Sequence, residues 1–581
     1  MVELVDTQDL GSCASRRAGS IPVLRTNPVS SVNSCRSVKG SASLSTSEFQ
    51  FGRRGFLAAA GLGVVLTGCG ATTPRSQDSP ALPDASFVFA QAASPATLDP
   101  SISNSVETSR IAAQVLEGLV RADPSTGEPL PGLAESWELD ADNRSVTFTL
   151  RRGISFHDGA ALNAEAVRAN FDKWREQAES DEPWAPRTSF ATVFRHGNTD
   201  PSTPSSYGGC EVVDERTVKI VLRHPYHPLL HALTQPSFGL ASPDSIAADT
   251  SRSHPVGTGP FRFDSADATA VRLSVNPDYW ADLGHLGSVE FRSVPDSKVR
   301  YAALVSGQVD AYDQVGLDDF APLARSGTQV LFRDPYSVSY VGINQRLPLL
   351  QDVTIRRAIA AAIDRGAIAR ELFPNGTNVA NQFITARFNV DGDDLQVPGF
   401  NPQRARDLLA DSDYDGERLS FYYPRNTSRL YLQKPEQVFA MMSEQLTRVG
   451  FNLDPVALEW DDDYVQKVTD PESRHALSLM GWSGGFRDPD NFLGPLMGSP
   501  NAEFGIRNTG LFTAVNRAAA MSDDAARANT YRALNNRISR MLPAIPLAHP
   551  VSAVAVNSRV ETFPLTSTGH ELFNDLTLRS G

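Results

Sequence analysis

Residues 481–485, Gly481-Trp482-Ser483-Gly484-Gly485, have the spacing of a nucleophile elbow. In such an elbow a sharp strand-to-helix turn lifts a serine hydroxyl out for attack on an acyl group. A base and an orienting acid are available downstream in His549 and Asp523. The chemistry also needs a helix directly after the turn. Pro489 would fall inside that helix and break it, so Ser483 is not expected to be catalytic. His224, His227 and His231 stand three and four residues apart, a spacing that on a helix could bring imidazoles to one metal. Pro225 and Pro228 interrupt the segment, so these are read as loop histidines. Asp461-Asp462-Asp463 lacks the alternate spacing and the glycine of a calcium loop and reads as a solvated turn. No metal, no cofactor and no catalytic residue is expected.

Cys69 is a thiol in another setting. Arg53-Arg54 with Phe56-Leu57 resembles a twin-arginine export signal, and Leu66-Thr67-Gly68-Cys69 resembles a lipobox, whose cysteine is diacylated and becomes the new N-terminus. The apolar run between them is shorter than the roughly 20 residues that span a bilayer. Export, cleavage before Cys69 and lipid attachment at the outer face of the cell membrane are therefore expected. Each buried CH₂ of the acyl chains adds about 0.8 kcal/mol. Residues 1–68 form the signal region, and residues 69–85, polar and proline-bearing, form a tether. Ala18-Gly19-Ser20-Ile21-Pro22 can be encoded by DNA resembling the T-arm of a tRNA gene, so residues 1–28 are expected to precede the true translation start.

The chain has 581 residues and a net charge of −14. Residues 1–68 carry seven Lys and Arg against four Asp and Glu, which leaves the remainder near −17. Such a surface excludes nucleic acid as a partner, because phosphate binding needs a basic face. Of four cysteines, only Cys210 lies beyond Cys69, so no disulfide framework is expected. The remaining chain is long enough to pack two or three lobes without one, and a monomer is expected.

Periodicity alternates between strands and helices, an α/β pattern. Residues 87–89, 146–150 and 218–222 alternate as strands with one buried face. Asn163 caps a helix carrying Val167, Phe171 and Trp174. Gly257-Thr258-Gly259-Pro260 is a tight connection. Asp352 opens a helix striped by Ile355, Ile359 and Ile363 and broken by Asp364 and Gly366; a short helix with Ile368 and Leu372 follows. Asn401-Pro402 starts another. Val438, Met441, Met442 and Leu446 stripe a helix closed by Gly450. Residues 477–482 read as a buried strand. A long helix from Asp523 sets Tyr531, Leu534, Ile538 and Leu542 on one face and stops at Pro543.

One block carries a family resemblance. Residues 130–170, LPGLAESWELDADNRSVTFTLRRGISFHDGAALNAEAVRAN, resemble the signature of the solute-binding proteins of peptide/nickel ABC importers, family 5. The similarity continues through TVKIVLRHPYHPLL, VGTGPF, NPDYW, YAALVSGQVD, VGINQRLPLLQDVTIRRAIAAAIDR and GWSGGFRDPDNFL, in the family's order. The resemblance implies a periplasmic-binding-protein type II fold with three lobes and a hinged cleft. Lobe I would comprise residues 86–118, 251–335 and 545–581, lobe II residues 119–250, and lobe III residues 336–544. It implies a peptide or peptide-like ligand between lobes I and III, delivery to an ABC permease, and no enzymatic activity. A metal chelate, haem or glycan on the same fold is the alternative ligand class. A lipid-anchored serine hydrolase is the alternative from another class. Phe156, His157, Asp158 and Gly159 would be scaffold. Trp482, Ser483, Gly484, Gly485, Phe486, Arg487 and Asp488 would line the cleft, with Trp482 as an apolar wall. In similar peptide binders an Asp that pairs with the peptide ammonium stands where this chain has Gly485. Asp488 or Asp490 is a candidate substitute; otherwise the ligand lacks a free amine.

Overall fold

A computed structural model describes residues 83–579 apart from 104, 183, 196–204 and 461–463. Arg53, Arg54, Cys69 and the Asp461-Asp462-Asp463 run therefore lie outside the described residues. Three sheets organise the rest. The first has seven strands in the order Gln329–Arg333, Ser552–Val556, Ala311–Asp313, Ala85–Gln91, Leu286–Ser293, Ala270–Val275 and Phe261–Ala266. The second has six, in the order Asn378–Val379, Ala544–His549, Ser337–Ile343, Leu477–Ser483, Arg418–Arg425 and Asn452–Glu459. The third is a four-stranded antiparallel sheet of Ala134–Leu139, Ser145–Leu150, Thr217–Leu222 and Tyr207–Asp214.

The third sheet is built by the alternation seen in the sequence, whereas the central strands Ser337–Ile343 and Ala544–His549 of the second are buried along their whole length. Val218, Ile220 and Leu222 point inward and are buried. They pack with Phe171 and Trp174 of the helix Ala164–Glu179, whose N-cap Asn163 accepts a hydrogen bond from the Ala166 amide at 2.9 Å. Phe156 belongs to the same core. His157 instead ties this lobe to its neighbour, while Asp158 accepts from Ser242 Oγ within the lobe. The His157 amide donates to Gly257 O at 2.8 Å, and its imidazole meets Gly259 O at 3.0 Å. A Cβ on Gly257 would lie 2.1 Å from Val115 O, so the tight connection needs glycine because a helix end presses on it.

Two short connectors join the first sheet to the second. Residues 334–336 lead from Gln329–Arg333 into Ser337–Ile343, and residues 550–551 lead back from Ala544–His549 into Ser552–Val556. The strand Ala544–His549 pairs with Ser337–Ile343 in the second sheet. The strand Ala544–His549 thus belongs to the second sheet, and the chain passes back to the first sheet through residues 550–551. Two helix readings are corrected. Ile363 is the extended residue that ends Val353–Ala362, and Asp364 caps the next helix, Arg365–Leu372, with Gly366 inside it.

The core of the lobe built on the second sheet holds a carboxyl group with a measurable consequence. Glu503 is 2% exposed and accepts hydrogen bonds from Ser478 Oγ at 2.8 Å and Tyr340 OH at 3.1 Å. Burial pushes its carboxyl up from 4.5 to about 7, with the two hydroxyls opposing. The native state therefore holds a proton that the unfolded chain releases above pH 4.5. The contribution to stability is full below pH 4.5 and is lost as pH rises through 7, about 3 kcal/mol over the window. Buried His475 and His549, each pushed down to about 4 by burial, act in the opposite direction. Comparison of Glu503→Gln with the native chain isolates the carboxyl. Denaturant unfolding from pH 4.5 to 7.5 should show the variant gaining relative stability by that amount. Parallel profiles would place Glu503 in contact with water.

Candidate functional site

Two neighbouring parallel strands of the second sheet, Arg418–Arg425 and Asn452–Glu459, end on the rim that faces the first sheet. The turn after the first strand carries Arg429, and the residue after the second is Trp460. The Arg429 guanidinium lies over the Trp460 ring, 4.1 Å from its centroid, a cation–π contact that fixes both. From the opposite side comes Glu107, in the first turn of the helix Val106–Val115, whose cap Ser105 donates to Glu107 Oε2 at 2.5 Å. Arg429 Nη1 stands 3.7 Å from the same carboxylate.

These groups are left incompletely bonded. Glu107 Oε1, Arg429 Nε and both amide atoms of Gln433 are buried and have no hydrogen-bond partner among the described residues. Buried polar atoms are almost always paired, and an unpaired one costs about 1–3 kcal/mol. Glu107 and Arg429 meet between two lobes that are joined by short connectors, at a candidate ligand cleft. The arrangement offers an acceptor, a cationic donor, an amide and an aromatic face. Nothing in the sequence pattern singled these residues out. Glu107 reads as a first-turn acid that suits the helix dipole, and an Arg in a turn reads as a solvated charge.

The residues expected to line the cleft are placed as follows. Trp482 is half-buried and donates from Nε1 to Asn491 O at 2.7 Å. Ser483 Oγ pairs with Ser337 Oγ at 3.1 Å, across the register that sets these strands side by side. The next helix starts only at Asp490, while Asp523 caps a different helix and His549 Nε2 meets Gln382 O at 3.1 Å. The elbow geometry is not formed. Gly484 donates its amide to Tyr336 O at 2.8 Å. Gly485, Phe486 and Arg487 turn towards the four-stranded lobe. Asp488 is buried against Arg527 at 2.5 Å. Asp490 is buried with Arg195 at 3.3 Å and receives the Tyr226 hydroxyl at 3.1 Å. Burial pushes the Asp490 carboxyl up, with Arg195 opposing. His227 faces Asp524 at 3.5 Å and His231 faces Glu128 at 3.1 Å, on separate partners.

A further concavity of about 390 Å³ lies beside the connectors, with Asp334, Pro335, Asn381, Thr385, Arg387 and His549 among its walls.

Lobes of mixed sheet joined by paired connectors, with a polar cleft between them, define a hinged solute-binding protein of the type II periplasmic class. The family model of the bacterial extracellular solute-binding proteins, family 5 Middle, matches residues 128–504, and the chain belongs to that family. It is similar to heme-binding protein A of Haemophilus influenzae, 27% identical over 84% of this chain and 91% of that protein. It is also similar to the dipeptide-binding protein of Escherichia coli, 25% identical over 85% and 94%. Among solved structures, the dipeptide-binding protein of Pseudoalteromonas sp. SM9913 in complex with Met-Leu superposes with a TM-score of 0.75. Its identity is 24%, over 85% of this chain and all of that one. The protein is accordingly an extracytoplasmic solute-binding component of an ABC importer and not an enzyme.

Proposed function

We propose that the chain is a lipid-anchored monomer, held through Cys69 after twin-arginine export, that captures a peptide or peptide-like ligand and presents it to its permease. Glu107, Arg429, Gln433 and Trp460 make the ligand contacts. The carrying observation is the set of unpartnered buried polar atoms on Glu107, Arg429 and Gln433. Arg429 and Gln433 suit a carboxylate or carbonyl oxygen, Glu107 a hydrogen-bond donor, and Trp460 the ligand's apolar body. Similarity to dipeptide-binding proteins supports the peptide class.

Gly485 bears on the end of the ligand that is recognised. Asp488 and Asp490 are each held by an arginine, so neither is free to replace the absent ammonium-binding acid. Ligand recognition therefore rests on the carboxylate side, and a ligand without a free amine, haem included, is the second reading that Gly485 favours. Calorimetry on matched di- and tripeptides tests this. N-acetylation should change affinity less than tenfold, or about 1.4 kcal/mol, while C-terminal amidation or Arg429→Ala should weaken binding more. A tenfold advantage of the free amine would make Glu107 the ammonium partner. Affinity untouched by Arg429→Ala would remove the site.

A further inference from the structure

Segment 484–487 is anchored to one lobe and inserted in another. Its backbone belongs to the second sheet's lobe: Tyr336 OH and Asn491 Nδ2 donate to Phe486 O at 2.7 and 2.9 Å. The Phe486 side chain, only 6% exposed, is part of the hydrophobic core of the four-stranded lobe. Arg487 Nη1 donates to Thr126 O at 2.7 Å and to Glu128 Oε1 at 2.6 Å, both on that lobe. Glu128 Oε2 in turn meets His231 Nε2 at 3.1 Å.

Two glycines permit the approach. A Cβ on Gly485 would lie 2.4 Å from Gln235 Oε1, and one on Gly127, at φ +78°, would lie 3.1 Å from Arg487 Cβ. An aspartate at 485 would meet the Gln235 side chain. The same two lobes also meet through Arg195 and Tyr226 on Asp490, and through the His227 amide on Ala519 O at 2.9 Å.

We propose that Gly485, Phe486 and Arg487 form a closure latch, with Phe486 and Arg487 as positioning residues that set the balance between open and closed clamp. The inference rests on the reading of the molecule as a hinged clamp. Opening the four-stranded lobe away from the second sheet must withdraw Phe486 from an apolar core and expose it to water. That resistance comes from the protein's own contacts, so closure draws on more than ligand binding. Gly485 is here given to the lobe–lobe contact with Gln235. A ligand with equal grip on both states would shift nothing; the latch sets the starting ratio that any ligand then biases.

The test uses the mature chain after removal of ligand by partial unfolding and refolding. Small-angle scattering reads the radius of gyration. Spin labels at exposed Val213 and Glu444, in a Cys210→Ser background, read the lobe separation. Phe486→Ala and Arg487→Glu should each move the open-to-closed ratio at least tenfold towards open and raise the radius of gyration, with Phe486→Leu near the native value. Gly485→Asp should open the clamp as well. Arg487→Glu lies at a partly exposed position and keeps the test available if Phe486→Ala fails to fold. Folded Arg487→Glu protein with unchanged distances and unchanged scattering would overturn the latch. Because no ligand is present in these measurements, failure of every peptide to bind would fall on the proposed ligand class and leave the latch result intact.

Discussion

Arg333→Met is expected to destabilise the protein by about 3–5 kcal/mol, the cost of leaving a buried ion pair without one partner. Arg333 closes a ring of four buried side chains. Its guanidinium pairs with Asp313 at 2.7 Å and Glu571 at 2.6 Å, and Arg110 pairs with the same two acids, reaching Glu571 at 3.1 Å. All four side chains are at most 1% exposed. Burial alone would raise the Asp313 carboxyl, but Arg333 and Arg110 outweigh it and hold the group well below the usual carboxylate range. The ring carries two charges of each sign, so removal of Arg333 leaves a net buried negative charge. Urea unfolding of the variant measures the loss. A second change, Glu571→Gln, should recover part of it, because the two residues act as one unit. A loss below about 1 kcal/mol, the range of exposed pairs, would show that water enters the ring.

Cys69→Ser should release the protein from the membrane altogether. In the proposed anchor Cys69 supplies the attachment atom, and two or more acyl chains are needed for stable anchoring, since one alone gives only marginal binding. The serine variant should be found either unprocessed, with residues 53–68 retained, or shed into the medium. Fractionation with mass spectrometry of the N-terminus distinguishes these outcomes from membrane-held protein cut before residue 69, which would dismiss the anchor. Arg53-Arg54→Lys-Lys should abolish export, because the receptor reads the arginine pair. Unchanged export would assign the general secretory route.

Elements that signal themselves locally were legible in the chain. Asn163, Asp352, Asn401 and Asp523 each cap a helix as their side-chain chemistry requires, and Gly450 closes one at φ +117°. The family block was legible because its residues recur in order. The placement of Phe486 was not. An aromatic between Gly485 and Arg487 looks the same in a sequence whether it lines its own lobe or fills another. Arg429, Gln433 and Glu107 were hidden for a related reason. They come from two lobes and more than 300 positions apart in sequence, and neither partner has a local pattern that announces the other. The export signal is the reverse case: it is read from sequence alone and lies outside the described residues.

The connectors at 334–336 and 550–551 run side by side, each carries a proline, and the strands they extend are paired on both sides, Arg333 with Ser552 and Ser339 with Ala548. Two stiff adjacent links permit a door's motion about one axis and resist a swivel. Arg418–Arg425 and Asn452–Glu459 stand second and third in order from the strand Ser337–Ile343. At about 4.8 Å per strand, the turns that bear Arg429 and Trp460 sit roughly 10–14 Å out along the door. A swing of about 20° on that lever moves them roughly 3–5 Å. That distance separates a made hydrogen bond from a broken one, so the grip proposed for Glu107 and Arg429 on a ligand would be switched by a rotation that leaves every sheet intact.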